Sequence, residues 1–475
     1  MREDMTTTRR ISVQLIGFAV VFAASAFSNA DSVDRYIAEQ MRLKNAPGVA
    51  VAVVKDGKVI KSAGYGLSNI ETNTRATADT VFEIGSVTKQ FTAAAIMLLA
   101  QDGKLAVYDT IGKYFPDAPE SWNKITIRHL LTHTSGIQNH VEVPGYLDRF
   151  KTDLSFRTTP AGEEKLRMFF ELPLEFEPGT TWAYDNTGYI LLGHIIEKVS
   201  GVSYYEYLDE RIFNPLGMAN TRSTSPLQVV KGRASGYGWA NGKFENRPTL
   251  LPGIAFSAGA MLSTVIDMAK WDAALHTDRI LTAESKKVMW DAARANDGST
   301  LPFDHGFGWF LDNYRGHRLV QHSGATPGFS SVFYRFPDAG LSVIILTNFA
   351  GTSIDHWAID VAAKYLPSLD RSKAIRDTDP SLTAQHRSML TALADQKFDG
   401  HNVTPQMDML FKTATGASLF SWYLDGSPIK SFELSSIEKR PGGQMRRYRA
   451  MAGKNLFEVS FLANDENRVA QILWW

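Results

Sequence analysis

The apolar and polar positions change period three times along the chain. Residues 32–43 space their apolar side chains at helical intervals, while 49–54 and 58–65 read as two strands joined across Asp56-Gly57, a pair suited to a tight hairpin turn. From about 86 to 281 the pattern is mostly helical with long loops, and 91–100, 188–199 and 264–275 carry apolar residues at helical spacing. Alternation returns at 318–321, 331–336 and 341–347, with a Pro337-Asp338-Ala339-Gly340 turn before the last strand and a helix over about 354–365 after it. Strands at both ends with helices between them predict an α/β domain in three layers, in which one antiparallel sheet is assembled from both ends of the domain and flanked by helices, with a helical region beside it.

Residues 367–380 are polar and charged. Beyond them a helix near 382–394 precedes alternating segments at 445–451, 456–462 and 469–474, which read as an antiparallel meander. The expected organisation is therefore a main domain over 31–368, a linker over 369–380 and a small α+β domain over 381–475, a separate appendage whose meander resembles nuclear-transport-factor-2-like cups. No internal repeat, low-complexity tract or heptad pattern appears.

The first thirty residues follow another rule. Arg9 and Arg10 precede an apolar stretch over 11–27 that closes on Ser28, Asn29 and Ala30, so residues 1–30 are expected to be a secretion signal cleaved after Ala30, with a periplasmic or extracellular destination. Ser12, Gln14, Gly17 and Ser25 interrupt the stretch and argue against the alternative of a retained membrane anchor. The arginine pair hints at twin-arginine export, but Ser12 and Val13 stand where a bulkier apolar pair is usual, leaving the general secretory route as the default.

Composition removes several classes of function. Lysine plus arginine and aspartate plus glutamate both number 50, so no basic excess exists to hold a phosphate backbone, and nucleic acid is not an expected partner. The chain has no cysteine, which excludes a disulfide framework, a thiol nucleophile, thiolate metal ligands and a lipidated cysteine. There is no G-x-S-x-G elbow and no phosphate loop. His129 and His133 lie four apart on an expected helix, but the glutamate of H-E-x-x-H is missing, so they read as structural histidines and no metal or cofactor is expected.

Three motifs carry the chemistry. Ser86-Val87-Thr88-Lys89 places a serine three residues before a lysine where a helical pattern begins, so that both share one helical face and the amine can approach the hydroxyl. A lysine whose pKa burial lowers can take the serine proton. Alone, the same four residues are also explained by a serine cap with a solvent-facing lysine. Tyr184-Asp185-Asn186 lies in a loop leading into the 190–199 helix; beside a lysine cation the Tyr184 phenol would favour its anion and take the serine proton, and Asn186 could donate to a substrate carbonyl. An ordinary loop with Tyr184 packed on Trp182 explains that pair equally well by itself. His322-Ser323-Gly324-Ala325 directly follows the 318–321 strand, with Gly324 letting a substrate backbone approach the strand edge.

In this order the three motifs resemble those of the serine β-lactamase and penicillin-binding protein superfamily, in the branch of class C β-lactamases, D-aminopeptidases, esterases and DD-peptidase relatives. The stretches 130–137, 189–193, 213–218, 258–263 and 306–309 are similar as well, so the resemblance covers about 32–366. It implies a β-lactamase/transpeptidase-like fold and a metal-free serine hydrolase with Ser86 acylated, Lys89 and Tyr184 moving protons, Asn186, His322 and Gly324 binding substrate, and the N–H groups of Ser86 and Ala325 forming an oxyanion hole. Implied substrates are amide, peptide, ester or β-lactam compounds, including peptidoglycan-derived ones. His322 departs from the lysine many relatives carry, which lowers the expectation for free-carboxylate substrates because histidine is largely neutral at pH 7. Asp185 also departs, from a small residue, and is expected to point away into the loop. The rival reading is a non-catalytic protein that binds penicillin or peptidoglycan fragments in the same cleft; a further one gives the physiological role to a small apolar ligand in the C-terminal cup.

Overall fold

A computed structural model describes residues 31–145, 148, 163–350, 354–395, 397–413, 416, 427–453 and 455–474. The expected signal segment lies outside the described residues. Among the described residues no helix is long and apolar enough to cross a membrane.

The chain opens with α1 (Ser32–Lys44), whose N-cap Asp31 accepts the backbone N–H groups of Val33 and Asp34. The hairpin β1 (Gly48–Lys55) and β2 (Lys58–Asn69) follows, and β3 (Thr74–Arg75) pairs with β2. Asp56 and Gly57 both have positive φ, 51° and 72°, as the two-residue turn of a right-twisted hairpin requires. The helical region contains α2 (Lys89–Gln101), α3 (Thr187–Ser200) and α4 (Val265–Leu275), each within two residues of its predicted span. The chain then returns as β4 (Phe310–Tyr314), β5 (His317–Thr326), β6 (Phe329–Phe336) and β7 (Leu341–Thr347), followed by α5 (Asp355–Ala363). These strands form one seven-stranded sheet in the order β3-β2-β1-β7-β6-β5-β4, antiparallel throughout, with the N-terminal β1 hydrogen-bonded to the late β7. The predicted assembly from both ends of the domain is what forms.

The central strands are buried on both faces. In β1, Ala50, Ala52 and Val54 point into the core shared with α2, α3 and α4, whereas Val49, Val51 and Val53 point into a second core with α1 and α5. This two-sided burial explains why β1 reads as an unbroken apolar run rather than a strict alternation.

The C-terminal part comprises α6 (Pro380–Ala394), α7 (Pro405–Phe411) and a four-stranded antiparallel meander of β8 (Ile429–Arg440), β9 (Gly443–Ala452), β10 (Asn455–Ala463) and β11 (Val469–Trp474). It has its own sheet but not its own core: Met389, Met407, Leu410, Tyr448, Val469 and Ile472 belong to the same apolar cluster as Val51, Trp182, Phe303 and Trp357. A buried charged network adds to the junction. Arg447, fully buried on β9, reaches Asp312 on the edge strand β4 at 3.1 Å and the Asn313 carbonyl at 2.7 Å, while Arg440 pairs with the same Asp312 and Glu458 accepts from Tyr314 and Arg315. The sheet edge left by β4 is thereby covered.

Removing one member of a buried ion cluster leaves the others desolvated and unpaired, at a cost of about 3–5 kcal/mol. Asp312→Ala is therefore expected to lower the unfolding free energy by about that amount in urea titration; a loss below about 1 kcal/mol would place the junction's stability in the apolar contacts alone.

Candidate active site

Ser86 sits in a 3-10 turn, Gly85–Thr88, that runs directly into α2. The expected shared helical face is modified accordingly: Ser86 and Lys89 are one turn apart, but Ser86 precedes the α-helix. Every other residue of 81–90 is buried, so Ser86 alone in this stretch keeps contact with solvent.

Lys89 is fully buried at the start of a helix whose residues are buried from Lys89 through Leu99. Its Nζ donates to Ser86 Oγ at 3.2 Å, to Asn186 Oδ1 at 2.8 Å and to the Ala258 carbonyl at 2.8 Å, and lies over the Tyr184 and Tyr189 rings at 4.8 and 5.3 Å. Burial brings its pKa down to about 7, with Asp185 partly opposing the shift. The solvent-facing lysine that could have explained the serine–lysine spacing is thereby ruled out.

Tyr184 and Asn186 come from the loop before α3. The Tyr184 phenol hydrogen-bonds with Ser86, and its ring packs on His133 at 4.4 Å and parallel to Phe310 at 6.4 Å. Its distance to the Trp182 ring, 6.4 Å, is longer than its contact with His133. The expected phenolate is not favoured: burial pushes the Tyr184 pKa well above its usual value, the Ser86 hydrogen bond only partly opposing this, and the group stays protonated. Asn186 is held from behind by Asn139, whose Oδ1 accepts both the Asn186 backbone N–H and Nδ2 at 3.2 Å. Asp185, expected to point away into the loop, does bond within it but also faces His133. It is buried, accepts the Gly188 N–H, and lies 3.4 Å from His133 Nδ1, with burial raising its carboxyl pKa to about 7. The two histidines expected on one helix are separated: His129 lies in the short Ile127–Leu131 helix, whereas His133 lies beyond it with φ 57°.

The His322-Ser323-Gly324-Ala325 stretch lies within β5 rather than after its strand. The pairing of β4 with β5 stops at Gln321, so residues 322–326 have β6 on one side and, among the described residues, no strand on the other. An open strand edge therefore begins beside Ser86, and Ala325 is exposed on it. Gly324 has a packing role within the protein. A Cβ there would lie 2.2 Å from the Ile84 carbonyl oxygen and 2.9 Å from Ser86 N, so glycine is needed for the strand to meet the nucleophile turn. Gly85, at φ +50°, answers it: a Cβ would fall 2.8 Å from Ala325 N.

His322 is also placed differently. It is only 2% exposed, its Nδ1 lies 2.6 Å from the Ser323 carbonyl, and its ring faces Phe310, Tyr184 and His305 instead of the open edge. Burial first, then the Lys89 charge, depress its pKa well below the usual imidazole range, so it offers no cation. Sequence reasoning missed Asn139, the Ala258 carbonyl and His305. The first two act through an amide and a main-chain oxygen that no motif marks; Ala258 lay in a stretch noted only for its resemblance.

Gly324→Ala forces Cβ into backbone atoms that have no flexible end to yield. It is expected to cost about 1–3 kcal/mol of stability and to disturb the Ser86 turn; an unchanged urea midpoint would show that strand and turn can separate freely.

A family model described as Beta-lactamase matches residues 33–364. Penicillin-binding protein 4* of Bacillus subtilis (strain 168) is 32% identical over 333 residues, covering 66% of this chain and 71% of that protein. Unguisins hydrolase ungD' of Aspergillus campestris is 30% identical over 365 residues, covering 70% of this chain; the chain spans 65% of that relative's length. The octameric penicillin-binding protein homologue from Pyrococcus abyssi superposes with a TM-score of 0.64 at 24% identity, over 93% of this chain and 99% of that one, and so shares its fold, including the C-terminal part. With this match and the geometry around Ser86, the chain belongs to the Beta-lactamase family of serine hydrolases, as its motif order had suggested.

Proposed function

We propose that the protein is an exported serine hydrolase that cleaves an amide, peptide or ester bond through a Ser86 acyl-enzyme. The observation that carries this is the double contact on the Ser86 hydroxyl: buried Lys89 Nζ at 3.2 Å on one side and the Tyr184 phenol on the other. At a pKa of about 7 a substantial share of Lys89 is neutral at physiological pH and can accept the serine proton. Ser86 Oγ then bonds to the substrate carbonyl carbon, and the oxyanion rests between the N–H groups of Ser86 and Ala325, on two segments whose close packing needs glycine at 85 and 324. As the carbonyl re-forms, the bond to the leaving group breaks and the protonated Tyr184 delivers a proton to it, recovering one from Lys89. Water repeats the sequence in reverse roles and releases the acid.

A substrate acyl chain is accommodated by the open edge of β5 at 322–326, where it adds as a strand. Because His322 is buried and neutral and Ser323, Gly324, Ala325 and Thr326 are uncharged, none of residues 322–326 offers a charge to a terminal carboxylate, which supports neutral amides, internal peptide bonds and esters over carboxylate-terminated substrates. Export rests on the arginine-led apolar segment at 1–30.

Intact mass spectrometry after exposure to a fluorophosphonate, a labelled penicillin and an activated ester is expected to give a single adduct that Ser86→Ala abolishes. No adduct with any probe on folded protein would favour a non-catalytic binding protein. The labelling rate is expected to rise with pH through about 7, because the neutral form of Lys89 is the reactive one and its share grows above its pKa; a rate that is flat or falls between pH 6 and 8 (roughly one unit to either side of that pKa) would remove Lys89 as the base.

A further inference from the structure

We infer that the C-terminal part positions Tyr184, through a hydrogen bond from Thr181 to Gln406 that holds the Tyr184 loop from behind. The inference rests on the proton-transfer role proposed for Tyr184 above.

Thr181 lies three residues before Tyr184 and is fully buried. Its hydroxyl donates at 2.8 Å to the main-chain carbonyl of Gln406, the second residue of α7. The Gln406 side chain continues the line by donating from Nε2 to Ser299 Oγ at 2.7 Å. A second glutamine repeats the arrangement from β11: Gln471 Nε2, also buried, donates to the Leu301 carbonyl at 3.1 Å. Helix α7 is tied to β11 by the Thr404 N–H to the Val469 carbonyl at 2.9 Å and by the Val469 N–H to the Asn402 carbonyl at 2.8 Å, so the two glutamines belong to one hydrogen-bonded unit.

The segment they grip supports the site directly. Residues 299–310 carry Phe303, which packs on Trp182 at 4.4 Å, and Phe310, which lies parallel to the Tyr184 ring. From the opposite side the loop is pinned by the Ala183 N–H to the His133 carbonyl at 3.0 Å and by the Gly179 N–H to the Thr134 carbonyl at 2.8 Å. Tyr184 therefore rides on a short loop clamped between the helical region in front and α7 behind. Its hydroxyl must meet Ser86 within hydrogen-bond reach, where a displacement near 1 Å is enough to slow chemistry severely. Thr181 and Gln406 touch no reacting atom; they are positioning residues.

The test uses the full chain with Thr181→Val, which keeps shape and removes the hydroxyl, and Thr181→Ser, which restores it. The readouts are the rate of Ser86 labelling by a fluorophosphonate across pH, kcat and KM for p-nitrophenyl acetate, and the thermal unfolding midpoint. Thr181→Val is expected to reduce the labelling rate and kcat about tenfold with KM little changed. It should also move the midpoint of the pH profile, because Tyr184 lies 4.8 Å from the Lys89 ammonium and any shift of the ring changes that charge's surroundings. Thr181→Ser should recover both. Gln471→Leu, which loosens only the second tie, should lower the labelling rate in the same direction and serves if Thr181→Val does not fold. Wild-type labelling rates and an unmoved pH profile in folded Thr181→Val, or in folded Gln471→Leu where the first variant fails to fold, overturn the inference while leaving the hydrolase reading intact. Failure of the unmodified chain to label at Ser86 overturns both.

Discussion

The burial of the Lys89 amine among neutral hydrogen-bond partners is the constraint to which the rest of the site answers. Taking an ammonium out of water costs several kcal/mol, and hydrogen bonds to a charged group return about 1.5–3 kcal/mol each. Lys89 bonds to Ser86 Oγ, Asn186 Oδ1 and the Ala258 carbonyl, all uncharged. They do not fully offset the desolvation, and the deficit appears as a pKa near 7. A nearby ionised carboxylate would hold the lysine protonated and end its usefulness as a base. Asp185 is the candidate for that effect, and its own burial raises its pKa to about 7 as well, which weakens the opposition.

Holding three neutral acceptors around one amine requires three remote segments to meet at one point. Asn186 arrives at the start of α3, Ala258 precedes α4, and Ser86 stands on the turn before α2. The sheet brings the fourth participant. Because the pairing of β4 with β5 ends at Gln321, β5 runs on past its neighbour and offers a free edge beside the serine. Gly85 and Gly324 let that edge pack closely on the nucleophile turn, because a Cβ on either would run into the other segment's backbone.

The C-terminal part enters the same scheme from the far side. Its arginines close the free edge of β4, its apolar residues extend the core beneath the sheet, and its two glutamines reach the segments that carry Trp182, Tyr184 and Phe310. Among these contacts the C-terminal part contributes packing, buried ion pairs and main-chain hydrogen bonds.

The helices, strands, hairpin turn and motif order were legible in the sequence because each depends on neighbours a few residues away: apolar spacing defines α2, α3 and α4, Asp56-Gly57 defines the first turn, and the three-residue interval from Ser86 to Lys89 survives the exchange of an α-helix for a 3-10 turn. The protonated state of Tyr184, the neutral and buried His322, the inward Asp185 and the steric reason for Gly324 were not legible, because each is set by the dielectric and the atoms that distant segments supply. The sequence by itself determined which chemical groups are present and in what order along the chain. Only the tertiary structure decided which of them lose their water, and that loss sets the charge each group carries.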